Sequence, residues 1–148
     1  MRILDADILA YALYDQSPAH TCAWGLVENC IRQGLPLHIT PTTILETYNT
    51  LYWHYRVRPA QSLLEKLSLT IDELQVVETS IKGIKIAQTS NIPLGDGLLI
   101  ATALQNNIPI IVTNDKHLIN NAPKYGLITE NPVPEETRKK LSAWNPPI

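Results

Sequence analysis

Ile108-Pro109-Ile110-Ile111-Val112-Thr113-Asn114-Asp115 reads as a short strand running into a polar turn that ends on a carboxylate. Its apolar side chains do not alternate with polar ones, so both faces need cover, as they do in the middle of a parallel sheet with helices on each side. The chain opens in the same way, with Ile3-Leu4 followed by Asp5. These two strands are expected to be neighbours. Asp5 and Asp115 then share the carboxyl edge of the sheet, where open α/β folds bind their ligands.

Working outward, further strands are expected at Leu37–Ile39, Leu74–Val77 and Leu127–Ile128, with helical stretches between them. Alternating strands and helices predict an open, mostly parallel α/β sheet. Ser17-Pro18 and Thr40-Pro41 each set a capping hydroxyl before a first-turn proline, which predicts helices at Pro18–Gln33 and Pro41–Tyr55. In the second, Ile44, Tyr48, Leu51, Tyr52 and Tyr55 recur at helical spacing and predict the buried stripe, while Glu46, Asn49, Thr50 and Trp53 fall on another face. Asp96–Gln105 is apolar almost all round, so it predicts a covered central helix that opens on an acid. Residues 1–130 are expected to form one domain. Residues 131–148, with Pro132, Pro134, Pro146 and Pro147 around Glu135–Lys140, read as a loosely packed proline-rich extension with at most one short helix.

Composition narrows the classes. A chain of 148 residues, 45% apolar, suits one domain with a sizeable core. No apolar run approaches a bilayer span and the N-terminus lacks a signal-peptide pattern, so a soluble, cytoplasmic protein without membrane contact is expected. Cys22 and Cys30, if both on the helix at 18–33, lie about 12 Å apart along its axis, too far for a bridge. Neither they nor His20, His38, His54 and His117 have zinc-ligand spacing. The net charge of −2 lacks the basic excess of a polyanion binder, but setting Asp5, Asp7, Glu46, Asp96 and Asp115 aside leaves nine acidic against twelve basic residues. That balance is compatible with RNA.

Taken singly, the acids have plain readings. Asp96 and Asp115 could cap their helices, Asp7 could face a helix dipole, and Glu46 could be a solvated helix residue. Together, four carboxylates brought to one sheet edge make an oxygen-rich site for a hard cation such as Mg²⁺ or Mn²⁺. Without a cation they would repel and raise one another's pKa values.

Ile3-Leu4-Asp5-Ala6-Asp7-Ile8-Leu9-Ala10-Tyr11 resembles the Asp-x-Asn/Asp opening of the PIN-domain ribonucleases, and Pro41 to Leu51 resembles the helix that carries their glutamate. Asp96-Gly97-Leu98-Leu99-Ile100-Ala101-Thr102-Ala103-Leu104 and Ile111-Val112-Thr113-Asn114-Asp115 are similar to the family's third and fourth acidic motifs in order and spacing. The resemblance runs from residue 1 to about residue 128. It implies a five-stranded parallel sheet in the order 3-2-1-4-5 and cleavage of single-stranded RNA by a metal-activated water. Asp5, Glu46, Asp96 and Asp115 would hold one or two Mg²⁺ or Mn²⁺ ions, supported by Asp7, Thr113 and Asn114. Small members are often VapC-type toxins, so a homodimer and an antitoxin partner are implied as well. Two positions depart from the pattern: Asp7 stands where many members have Asn, and Gly97 where Ala is frequent.

Near Glu46 the chain mixes rings and cations, and Trp53, Arg56 and Arg58 are candidate RNA contacts. Tyr48, Tyr52 and Tyr55 are expected to pack instead. Two competing functions fit parts of the pattern. Leu4-Asp5-Ala6-Asp7 imitates the nucleophile motif of haloacid-dehalogenase-type phosphatases, with Asp5 as nucleophile, although Gly95-Asp96 is not followed by their second late acid. A non-catalytic RNA- or protein-binding module of the same fold would have no need to keep all four acids.

Overall fold

Ile3 and Leu4 point to opposite faces of the first strand, and this alternation sorts the helices into two layers. A computed structural model describes residues 1–146; Pro147, one of the prolines counted in the extension, lies outside the described residues. The elements follow in the order β1 (Arg2–Leu4), α1 (Ala6–Leu13), α2 (His20–Gln33), β2 (Leu37–Ile39), α3 (Pro41–Asn49), α4 (Ala60–Ile71), β3 (Gln75–Val76), α5 (Gly83–Ser90), α6 (Leu94–Gln105), β4 (Ile110–Val112), α7 (Lys116–Asn121), β5 (Ile128–Glu130) and α8 (Glu135–Ala143). A π-helical turn, Thr50–His54, extends α3, and a 3₁₀ turn, Ala122–Tyr125, follows α7.

The sheet is parallel throughout, in the order β3-β2-β1-β4-β5, as expected. Leu4, Ile39 and Val112 pack against α1, α2, α4 and the π turn, with Leu9, Val27, Leu51, Leu63 and Leu67 filling that layer. Ile3 and Ile111 face the other layer, with Leu99, Ile100, Ala103 and Leu118 from α6 and α7. Burying a side chain of this kind contributes about 1.5–3 kcal/mol, so both faces of β1 and β4 bind the layers together.

Several local expectations shift. The helix expected from Pro18 begins at His20: Ser17 Oγ accepts the Ala19 N–H at 3.2 Å, which spends the hydroxyl on a turn ahead of the helix. Thr40 caps α3 as expected, accepting the Thr43 N–H at 3.0 Å with Pro41 behind it. The stripe that α3 and its extension bury is Thr43, Thr47 and Leu51, while Ile44, Tyr48, Tyr52 and Tyr55 are half-buried. Thr47 is tolerated there because its hydroxyl donates to the Thr43 carbonyl at 2.8 Å. The last strand begins at Ile128 and runs to Glu130, because the Leu127 N–H is used to close the preceding turn on Ala122.

Two glycines bring α5 and α6 together. A β-carbon on Gly83 would stand 2.3 Å from the Leu98 Cα, and one on Gly97 would stand 2.5 Å from the Gly83 carbonyl oxygen. This backbone-to-backbone contact explains the glycine at 97.

Beyond β5 the chain carries α8 and returns to the core. Val133 is buried, and Trp144 packs edge-on against Tyr55 and tilted against Tyr14, with centroids 5.5 and 6.1 Å away. Among the described residues, no helix is long and apolar enough to cross a membrane.

Candidate active site

The Asp5 N–H donates to the Val112 carbonyl at 3.0 Å, so the β1–β4 ladder continues one residue past β1 and sets Asp5 beside Thr113. The Thr113 hydroxyl, fully buried, donates to Asp5 Oδ2 at 2.7 Å and accepts the Asp115 N–H at 2.9 Å. One side chain therefore fixes both acids. Asp5 also caps α1, its Oδ1 accepting the Ala6 N–H at 2.8 Å.

Asp96 arrives from the opposite layer. It is the third residue of α6, which begins at Leu94 behind Pro93, so it does not open the helix as expected and does not cap it. Its Oδ2 is buried and has no hydrogen-bond partner, which costs stability unless something else meets it. One carboxylate oxygen from each of Asp5, Asp96 and Asp115 lies within 4.8 Å of the other two. Asp115 does cap its helix, accepting the His117 N–H at 2.8 Å, and still reaches the cluster.

Glu46, the fourth acid, stands outside that radius. It projects from α3 across Gly95, where an added β-carbon would lie 2.5 Å from Oε2. Burial and then the charge of Asp5 raise its pKa, so it borders the same acidic field. Asp7 has both oxygens engaged: Oδ1 accepts the Ile8 N–H at 2.7 Å and Oδ2 the Asn114 N–H at 3.0 Å. It fastens α1 to the turn after β4, and so engaged it is a poor stand-in for the second acid of a phosphatase motif.

The titration pattern is that of crowded, buried acids. Burial, with the charge of Asp115 next, pushes Asp96 up to about 8. Asp5 is raised by burial despite its bonds from Thr113 and Ala6, and Asp7 is raised further, by burial and by Asp5. An all-oxygen set with one unpartnered buried oxygen fits a hard divalent cation, whose opposite ligands lie about 4 Å apart in Mg²⁺ sites. Among the described residues no other cluster of acids, histidines and cysteines could hold a metal ion, and Cys22 and Cys30 are unbridged.

Of the expected RNA contacts, Trp53 lies on the α3 extension, and Arg56 and Arg58 on the chain that follows it. Trp53 is 61% exposed and meets Tyr52 edge-on at 4.8 Å. Arg58 lies over the Tyr52 ring at 3.5 Å and donates to the carbonyls of Tyr52 and Val57, so part of its guanidinium is occupied. Arg56 adopts a left-handed backbone, φ 58°, where the extension ends, with its side chain exposed. Sequence reasoning missed Gly95, whose only signal is a glycine beside an acid, and Asn131, which lies within the segment set aside as an extension.

A family model described as "PIN domain" matches residues 2–124. No curated protein sequence matches the chain. Among solved structures, PAE2754 from Pyrobaculum aerophilum superposes with a TM-score of 0.64 at 21% identity, covering 97% of this chain and 90% of that one. FitAB bound to an IR36 DNA fragment gives 0.65 at 19%, covering 89% and 95%. VapBC2 from Rickettsia felis, bound to a DNA fragment from its promoter, gives 0.65 at 18%, covering 88% and 97%. At these identities the superpositions speak for the fold.

Proposed function

The chain belongs to the PIN-domain family, generally nucleases, and from this premise we propose that it is a Mg²⁺- or Mn²⁺-dependent endoribonuclease acting on single-stranded RNA. The observation that carries the reading is the convergence of Asp5, Asp96 and Asp115, one carboxylate oxygen from each within 4.8 Å of the others, with Asp96 Oδ2 buried and unpartnered. Stability alone gives no reason to keep it there.

In this reading Asp5, Asp96 and Asp115 hold the cation, with Glu46 at its margin. The bound ion supplies an activated water and neutralises charge that builds on the scissile phosphate. Thr113 keeps Asp5 and Asp115 in register, and Asp7 with Asn114 holds the turn beneath them. Trp53, with Arg56 and the free side of Arg58, offers a stacking ring and cations to the flanking strand.

The finer role we propose is that of a toxin with an antitoxin partner, acting as a homodimer in the cytoplasm. The likeness of fold to VapBC2 and FitAB supports it. So do apolar side chains open to a partner: Leu45 and Leu64, which line one groove between α3 and α4, and the exposed Val76, Ile81 and Ile84.

Purified wild-type and Asp5→Asn protein, incubated with labelled single-stranded RNA in Mg²⁺, Mn²⁺ or chelator, test the activity. Metal-dependent cleavage that the variant lacks is expected; a fully active Asp5→Asn protein overturns the assignment.

A further inference from the structure

The acidic turn after β4 is gripped from a direction that the four acids do not account for. The Asn131 side-chain amide donates to Asn114 Oδ1 at 2.9 Å, and its own Oδ1 accepts the Val133 N–H at 3.0 Å. The second bond fixes which end of the amide faces Asn114. Asn114 in turn gives its backbone N–H to Asp7 and is followed at once by Asp115, whose N–H rests on Thr113. The pairing of β5 with β4 delivers Asn131 to this spot, because the Thr113 N–H donates to the Glu130 carbonyl at 2.9 Å. Arg2 adds a two-pronged ion pair to Glu130, at 2.9 and 3.2 Å, spanning β4.

The segment that carries Asn131 is held downstream as well. Val133 is buried, its carbonyl accepts from Arg138 Nε at 3.1 Å, and Trp144 packs on Tyr55. Asn131, Val133, Arg138 and Trp144 lie beyond residue 124, where the family match ends. We infer that Asn131 is a positioning residue of the acidic site, holding Asn114 and through it the turn that presents Asp115 and grips Asp5 and Asp7. This rests on the cation-binding reading above; Asn131 itself touches no acid.

The test is Mn²⁺ titration calorimetry on the full chain, with melting curves alongside, for wild type, Asn131→Ala, Asn131→Ser, Asn114→Ala and the Asn114→Ala/Asn131→Ala double variant. Serine can still accept the Val133 N–H but is too short to reach Asn114, so it keeps the local turn should alanine disturb folding. Outer-shell residues are typically worth 10- to 100-fold in metal affinity, and about tenfold weaker Mn²⁺ binding is expected for both Asn131 variants. In the double variant the loss should not exceed that of Asn114→Ala alone, because the two act as one unit. The RNA-cleavage kcat should fall with KM unchanged. Mn²⁺ affinity equal to wild type in both folded Asn131 variants, or losses that simply add in the double variant, overturns the inference and leaves the nuclease reading standing. A folded wild type that binds no Mn²⁺ overturns both.

Discussion

The Glu46 carboxylate rests on the Cα of Gly95, one residue before Asp96: an added β-carbon would stand 2.5 Å from Oε2 and 3.2 Å from the carboxyl carbon. Gly95→Ala must therefore turn Glu46 away. The atom displaced is the end of a flexible chain, and the substitution gains up to about 1 kcal/mol of helix propensity. Melting temperature should hold or rise while cleavage falls on the order of 100-fold, as misplacement by about 1 Å can cause. An active Gly95→Ala protein would remove Glu46 from the chemistry.

Two residues along, the same substitution should do the opposite. The Gly97 β-carbon would meet the Gly83 carbonyl oxygen at 2.5 Å and the Ala87 Cβ at 2.8 Å, and backbone cannot swing aside as a side chain can. Overpacking of this kind costs about 1–3 kcal/mol. Gly97→Ala should lower the melting temperature by several degrees, and denaturant titration of both variants in chelator checks the contrast.

Asp96, pushed up to about 8 mainly by burial, makes stability depend on pH in a defined sense. The folded chain keeps a proton that the unfolded chain releases near pH 4, so metal-free stability is full below that point and declines as pH rises toward 8. Mn²⁺ affinity should run the other way, growing up to about pH 8 because the ion displaces that proton. Melting curves from pH 5 to 8.5 in chelator would show the decline, and Asp96→Asn should lessen it, the share from Asp5 and Asp7 remaining.

Trp53, 61% exposed, contributes little to the core. Trp53→Ala should leave the melting curve within about 0.5 kcal/mol of wild type. Loss of one stacked base is worth about 1–3 kcal/mol, so KM for single-stranded RNA should rise at least several-fold with kcat held. An unchanged KM would place the strand elsewhere.

That β1 and β4 are neighbours was readable from the residues, because Ile3-Leu4 and Ile108–Val112 are apolar runs each followed by an acid; the full strand order came from the resemblance to the PIN-domain family. Asp96 was readable as an acid near the start of an apolar helix, but not as a carboxylate with an orphaned oxygen, since only the packing of α6 against the sheet decides what it meets. The buried stripe of α3 was misread because the Thr47 hydroxyl donates within the helix and the Thr43 hydroxyl accepts from the capping Thr40, which hydropathy does not register. The Glu46–Gly95 contact and the Asn131–Asn114 bond join different elements, and nothing local to either residue announces them.

Asp5 and Thr113 are 108 positions apart, yet their hydrogen bond is part of the site itself. During synthesis the first acid leaves the ribosome long before the turn that completes its surroundings, and β1 has no β4 to pair with until nearly the whole domain has emerged. An acidic site built in this order stays incomplete until the turn after β4 has been made.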